Sequence, residues 1–212
     1  MFHLILTGAA LGDRRTNSSF KRAKVSFDKG MDCLDELCDL DVIKLESTSA
    51  SCDMSDKILF MAPFLRFWFA FISPIFKGIK NGDYTEFFEK FKNLKSEFSY
   101  LTFEQLSHEY IKRSFQEDKI YNINRYWDDD RDINIVAKTK SGQIIAGLCK
   151  YTQTKVKKSD LTKLKVDCDA AHIKPDILVM FSKNGFTSEL KSMKSNNLRL
   201  FSVRNLKILL EK

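Results

Sequence analysis

The chain has 212 residues, 43% of them hydrophobic and 30% charged, enough for one large core or two small ones. Eight glycines and three prolines exclude a collagen-like or low-complexity chain. Thirty-five Lys and Arg against 28 Asp and Glu leave a net charge of +7, which favours acidic partners such as nucleic acid.

Met1–Leu11 is predicted as a helix with Leu4, Ile5, Ala9 and Leu11 apolar. Basic residues follow this run rather than precede it, so it does not read as a secretory signal. Residues 13–17 read as a loop, inside a basic group of Arg14, Arg15, Lys21, Arg22 and Lys24. Ser26 is placed to cap a helix through Met31, Leu34 and Leu37. Strands follow at Val42–Leu45 and Ile58–Met61, across a Ser-rich turn. Helices and then a polar-tipped hairpin predict a winged-helix-like module over residues 1–61. Ser26–Cys38 is either a groove-reading helix or a packing helix. Its acids Asp28, Asp32, Asp35 and Glu36 repel phosphate and favour packing.

Residues 62–99 form an aromatic helical linker. Phe64–Phe76 contains Arg66 and Pro74 and is too short to span a bilayer, so no membrane contact is expected. The helical spacing of its aromatics, and of Phe87, Phe88, Phe91 and Leu94, points to a core more than to base stacking. Leu101–Ile111 is a further helix, with Thr102 as its candidate cap, Glu104 within it and His108 one turn on.

Asp128–Asp130 reads as a solvated turn. From Asp132 to Tyr151 two strands flank a Ser141-Gly142 turn. Alternation sets Asp132 and Asn134 on one face of the first strand. It sets Leu148 and Lys150 on one face of the second, with Cys149 opposite. A lysine-rich stretch follows: Lys155, Lys157, Lys158, Lys163 and Lys165, with Leu161 and Leu164 as the buried face of a helix. Ile177–Ser182 is a buried strand, Gly185 permits a left-handed turn, and Thr187 can cap the next helix. A strand from Leu198 and a closing helix to Leu210 complete the chain.

The five cysteines are Cys33, Cys38, Cys52, Cys149 and Cys168. Their number is odd and no C-x-x-C pair occurs, which argues against a disulfide framework or zinc site. Reduced thiols in a cytoplasmic protein are the expectation.

The hairpin resembles the catalytic hairpin of the PD-(D/E)XK nuclease superfamily. It is also similar to a domain of unknown function at the C-terminus of archaeal-type P-loop ATPases. The pattern there runs E-I-D-[IL]-V-A, a turn, then G-E-C-K-W. Here it reads Asp132-Ile133-Asn134-Ile135-Val136-Ala137 and Gly147-Leu148-Cys149-Lys150-Tyr151. Two further phrases match in order. Pro63–Phe71 resembles D-P-F-L-[RK]-F-W-[FY]-x-F, with Ala62 where the family has Asp. Ser182–Leu190 resembles F-S-[RK]-x-G-F-T-x-x-L. The chain has no P-loop of its own.

The resemblance implies an α/β fold: a restriction-endonuclease-like mixed sheet flanked by helices, over residues 100–212. Such nucleases hold a divalent metal between carboxylates, which polarises phosphate and activates water. Here Asn134 stands at the Asp position and Leu148 at the Glu position. The implied remnant site is Glu104, Asp132, Asn134, Leu148 and Lys150, facing one cleft. No metal and no cofactor are expected at it.

The leading expectation is a catalytically degenerate nuclease-fold protein. It would bind nucleic acid, DNA first, through Lys150, Lys155, Lys157, Lys158 and Lys163. The second is an active, Mg²⁺-dependent nuclease with a relocated site on Glu104, Asp132 and Lys150. The third is an interaction module that docks on a separate ATPase or on a second copy of itself.

Overall fold

The computed structural model describes residues 1–48 and 55–210. The Ser-rich turn over 49–54, with Cys52, lies outside the described residues. The helices are α1 (Phe2–Ala9), α2 (Thr16–Ala23), α3 (Phe27–Asp39), α4 (Pro63–Phe67), α5 (Phe76–Lys80), α6 (Thr85–Ser114), α7 (Lys158–Ala170) and α8 (Ser188–Ser192). The strands are β1 (Ile43–Glu46), β2 (Lys57–Phe60), β3 (Ile120–Trp127), β4 (Asp132–Thr139), β5 (Ile144–Lys150), β6 (Ile177–Ser182) and β7 (Leu198–Ser202). The chain forms two compact units. The first takes in Met1–Ser47 and continues to Phe98, and the second runs on from Ser99. Among the described residues no helix is long and apolar enough to cross a membrane.

The first unit packs α1, α2 and α3 and then pairs β1 with β2 antiparallel, Ile43 opposite Phe60. Helix α2 replaces the second half of the loop expected at 13–17. Its buried face is Thr16, Ser19, Phe20 and Ala23, so only one large apolar residue marks it. Ser26 sits at the N-cap of α3, but its side chain makes no capping bond. The aromatic stretch supplies part of a core, through Phe67, Phe69, Phe71, Phe87 and Phe91, while Phe64 and Phe88 are exposed. Phe71 is fully buried, 5.2 Å from the ring of Phe91 and 5.3 Å from that of Phe98. Arg66 is buried in it. Its Nε donates to Ala10 O at 3.1 Å, and its guanidinium lies 4.1 Å over the Phe98 ring.

The second unit is a mixed five-stranded sheet flanked by helices, in the order β3-β4-β5-β6-β7. The first three strands are antiparallel, and β5, β6 and β7 are parallel. One face packs on Phe103, Tyr110 and Ile111 of α6, through Ile135, Ala137, Ile145, Cys149, Val179 and Phe181. The other face packs on Leu161, Leu164 and Cys168 of α7, through Ile133, Ala146, Leu178 and Met180. All six residues of β6 are buried, which is why that strand lacks alternation in sequence. Thr102 lies inside α6 and does not begin a helix. No Gly or Pro interrupts Thr85–Ser114, so nothing in that stretch stops the helix. Gly142 turns the β4–β5 hairpin at φ +95, and Gly185 follows β6 at φ +78.

One irregularity decides where the predicted site residues point. In the β3–β4 pairing, Asn124 faces Val136 but Tyr126 faces Ile133. Asn134 and Ile135 therefore oppose the single residue Arg125. This is a β-bulge, and it breaks the alternation along β4. Ile133 joins the α7 face, while Ile135 belongs to the α6 face.

Candidate functional site

The bulge turns Asn134 toward α6. There the side chain makes three hydrogen bonds. Its Nδ2 donates to Glu104 Oε2 at 2.9 Å and to the Tyr100 hydroxyl at 2.7 Å. Its Oδ1 accepts from the Cys149 N–H at 2.8 Å. The regular β4–β5 ladder ends at Ile135 and Gly147, so this amide oxygen takes up a backbone donor just beyond the ladder. His108 Nε2 donates to the Asn134 carbonyl at 2.7 Å. Glu104 and His108, one turn apart on α6, thus hold the same residue, as their spacing predicts.

Arg125 completes the cluster. Its Nη1 lies 2.9 Å from Glu104 Oε1, and its Nη2 lies 3.0 Å from both oxygens of Asp132. Arg125 and Glu104 are almost fully buried, whereas the Asp132 side chain is 46% exposed. A guanidinium fork between two carboxylates is a strong, directional pairing. Burial, and then the Glu104 charge, push the Tyr100 hydroxyl well above its usual pKa. The same two causes push the Cys149 thiol up, with the Ser107 hydrogen bond and Arg125 opposing. Cys149 is therefore a packed, protonated thiol.

Leu148 and Lys150 point the other way. Leu148 packs in the cluster on the α7 face. Lys150 Nζ donates to both oxygens of Asp160 on α7, at 2.8 and 2.9 Å. Asp160 also accepts from the Lys157 N–H at 2.7 Å and so caps the start of α7. The five expected site residues do not share one cleft. Glu104, Asp132 and Asn134 meet beneath α6, while Leu148 and Lys150 lie across the sheet. Residues 148 and 150 share a face opposite 149, as alternation predicts. The failure lies at Asn134, where the bulge shifts the phase of β4.

The residues do not fit a divalent metal. Glu104 and Asp132 already face a cation of the chain's own. Asn134 directs an N–H, not an oxygen, at Glu104. Among the described residues no group of three His, Cys, Asp or Glu could hold a metal ion.

Three of the five lysines expected to bind nucleic acid have carboxylate partners. Lys150 holds Asp160, Lys158 lies 3.1 Å from Glu189, and Lys163 lies 3.5 Å from Asp167. Lys155 and Lys157 are exposed. In the Asp128–Asp130 turn Asp129 and Asp130 are exposed, while the Asp128 carboxylate is held by hydrogen bonds. Burial raises the Asp128 pKa, but hydrogen bonds from Tyr126, the Asp130 and Arg131 N–H groups and the Arg131 side chain outweigh it and bring the pKa down to about 2.

Arg125, Tyr100 and Asp160 escaped the sequence reading. The one available signal was an arginine inside an otherwise strand-like stretch, Ile120–Trp127. A cation in mid-strand requires a partner when its face is buried.

A family described as "Archaea bacterial proteins of unknown function" matches residues 68–163, a little under half of the chain. The match includes Glu104, Arg125, Asp132, Asn134, Lys150 and Asp160. No curated protein and no solved structure matches the chain.

Proposed function

We propose that this protein is a nuclease-fold domain whose hydrolytic site has been replaced by internal ion pairs, and that it binds nucleic acid without cutting it. The observation that carries this reading is Arg125. Its guanidinium stands between Glu104 and Asp132, the two carboxylates best placed to hold a metal. A fixed organic cation neutralises them but cannot polarise a water into a nucleophile. The relocated nuclease site loses its support, because Lys150 lies on the other face and is paired with Asp160. Nucleic-acid binding is supported by the net charge of +7.

The test uses the full chain, free of contaminating nuclease. Supercoiled plasmid incubated with Mg²⁺ or Mn²⁺ should remain uncut. Fluorescently labelled duplex DNA should bind, with affinity falling steeply as salt rises. Metal-dependent cleavage that disappears in Glu104→Gln would overturn the inactive reading. No binding at low salt, with a stable dimer in sedimentation, would replace nucleic-acid binding with the docking module.

A further inference from the structure

The ion pairs around α7 leave open where a phosphate chain would sit. Strands β6 and β7 are parallel and end level with each other, Ser182 opposite Ser202. Beyond them the chain diverges. After β6 it passes to α8, whose Leu190 is buried on the α7 face of the sheet. After β7 it enters a 3₁₀ helix, Val203–Leu210, whose Leu206 is buried on the α6 face. Two neighbouring parallel strands whose continuations leave to opposite faces create a crevice beyond their carboxyl ends. That is the general ligand-binding position of open α/β sheets.

A cleft of about 650 Å³ lies at that place. Lys183, Lys191, Lys194 and Arg204 line it, and its lining includes no carboxylate among the described residues. Lys191, Lys194 and Arg204 are exposed. Lys183 is held at the edge with its Nζ 4.2 Å over the Tyr151 ring. Asn184 and Ser202 add neutral polar groups, and Phe186 and Leu200 give the cleft an apolar side. Four cations from three separate segments converge here with no carboxylate between them. This differs from α7, where Lys158 and Lys163 face Glu189 and Asp167. Four like charges in one crevice repel one another, and an anion relieves that repulsion.

We infer that this crevice is an anion site that takes the phosphodiester backbone of nucleic acid, and that Lys191, Lys194 and Arg204 are its principal contacts. The inference rests on the nucleic-acid reading above and gives it a location different from the lysines of α7. Phosphate contacts by exposed cations are electrostatic and independent of sequence, so binding here is expected to be non-specific.

The experiment compares three full-length proteins for binding of a labelled 20-base-pair duplex by anisotropy at low salt. These are the wild type, the cleft variant Lys191→Glu/Lys194→Glu/Arg204→Glu, and an α7 variant, Lys155→Glu/Lys157→Glu/Lys165→Glu. All the substituted side chains are exposed, and circular dichroism checks that each protein is folded. The cleft variant should lose more than tenfold in affinity, and the salt dependence should flatten by about two to three in slope. The α7 variant should lose less. If the α7 variant loses binding and the cleft variant keeps it, the cleft is wrong and the nucleic-acid reading survives. If the wild type binds no duplex, both fall. If inorganic phosphate binds the wild type but not the cleft variant, while both bind the duplex equally, the crevice is a small-anion site and the polymer assignment is overturned.

Discussion

The two faces of the five-stranded sheet treat charge in opposite ways. Beneath α6, Glu104, Arg125 and Asn134 are withdrawn from water, each no more than 4% exposed, and their polar groups converge on one another. Beneath α7, Lys150 and Asp160 form a single pair at the rim, with about a quarter of each side chain exposed. The first arrangement is costly to disturb, because a lost partner strands a charge in a low-dielectric place. The second is cheap to disturb, because water replaces the partner. A carboxylate's position in the fold, rather than its presence in a motif, thus decides whether it can serve a ligand. The α6-face carboxylates serve Arg125.

The sharpest way to break the contrast is Arg125→Met. It leaves Glu104 buried with its hydrogen bond from Asn134 but no counter-charge. The expected loss is about 3–5 kcal/mol in denaturant unfolding. The double variant Arg125→Met/Glu104→Met should recover much of that loss, since it removes both charges together. Equal losses in single and double variants would mean that the pair does not act as a unit.

Asn134→Asp tests the same face with the smallest chemical change. It restores the carboxylate of the nuclease-like pattern but removes the N–H given to Glu104 and Tyr100. Two carboxylates then meet in a buried place, which disfavours ionising both. The expected cost is about 2–3 kcal/mol at neutral pH. The sign with pH is fixed. A carboxyl pair whose folded pKa is raised costs stability above that pKa, and the cost falls as pH drops and a proton bridges the two oxygens. A deficit that grows toward acid would contradict this. Millimolar Mg²⁺ should not restore the lost stability while Arg125 occupies the space between Glu104 and Asp132.

Much of the fold was legible because it rests on local rules. The Gly142 turn, the β4–β5 hairpin, the continuous apolar run of β6 and the cap at Thr187, whose side chain accepts from the Leu190 N–H, all follow from residues near in sequence. The site was legible only in part. The helical period brings Glu104 and His108 to one side of α6, but it is the bulge, not strand alternation, that turns Asn134 to meet them. The bulge itself adds one residue opposite Arg125 and has no glycine to announce it. Arg125 was invisible for a different reason: its partners lie on another strand and on a helix, and pairing across elements leaves no periodic trace. The same holds for the cleft beyond β6 and β7. Its cations are spread over residues 183 to 204 and become a group only when the chain diverges to the two faces.

The smallest expected effect belongs to the α7 face. Lys150→Ala removes both bonds to Asp160, yet Asp160 keeps its hydrogen bond from the Lys157 N–H and gains water. Helix α7 therefore keeps its cap. Both side chains are already about a quarter exposed, so screening discounts the pair. The expected loss is about 0.5–1 kcal/mol. That corresponds to a fall of about 1–4 °C in Tm for a chain of this size. Added salt should shrink the difference between variant and wild type, because it weakens the pair only in the wild type. The Arg125→Met deficit, held in a buried place, should change far less over the same salt range. A Lys150→Ala loss as large as that of Arg125→Met, and insensitive to salt, would mean that both faces hold their charges alike.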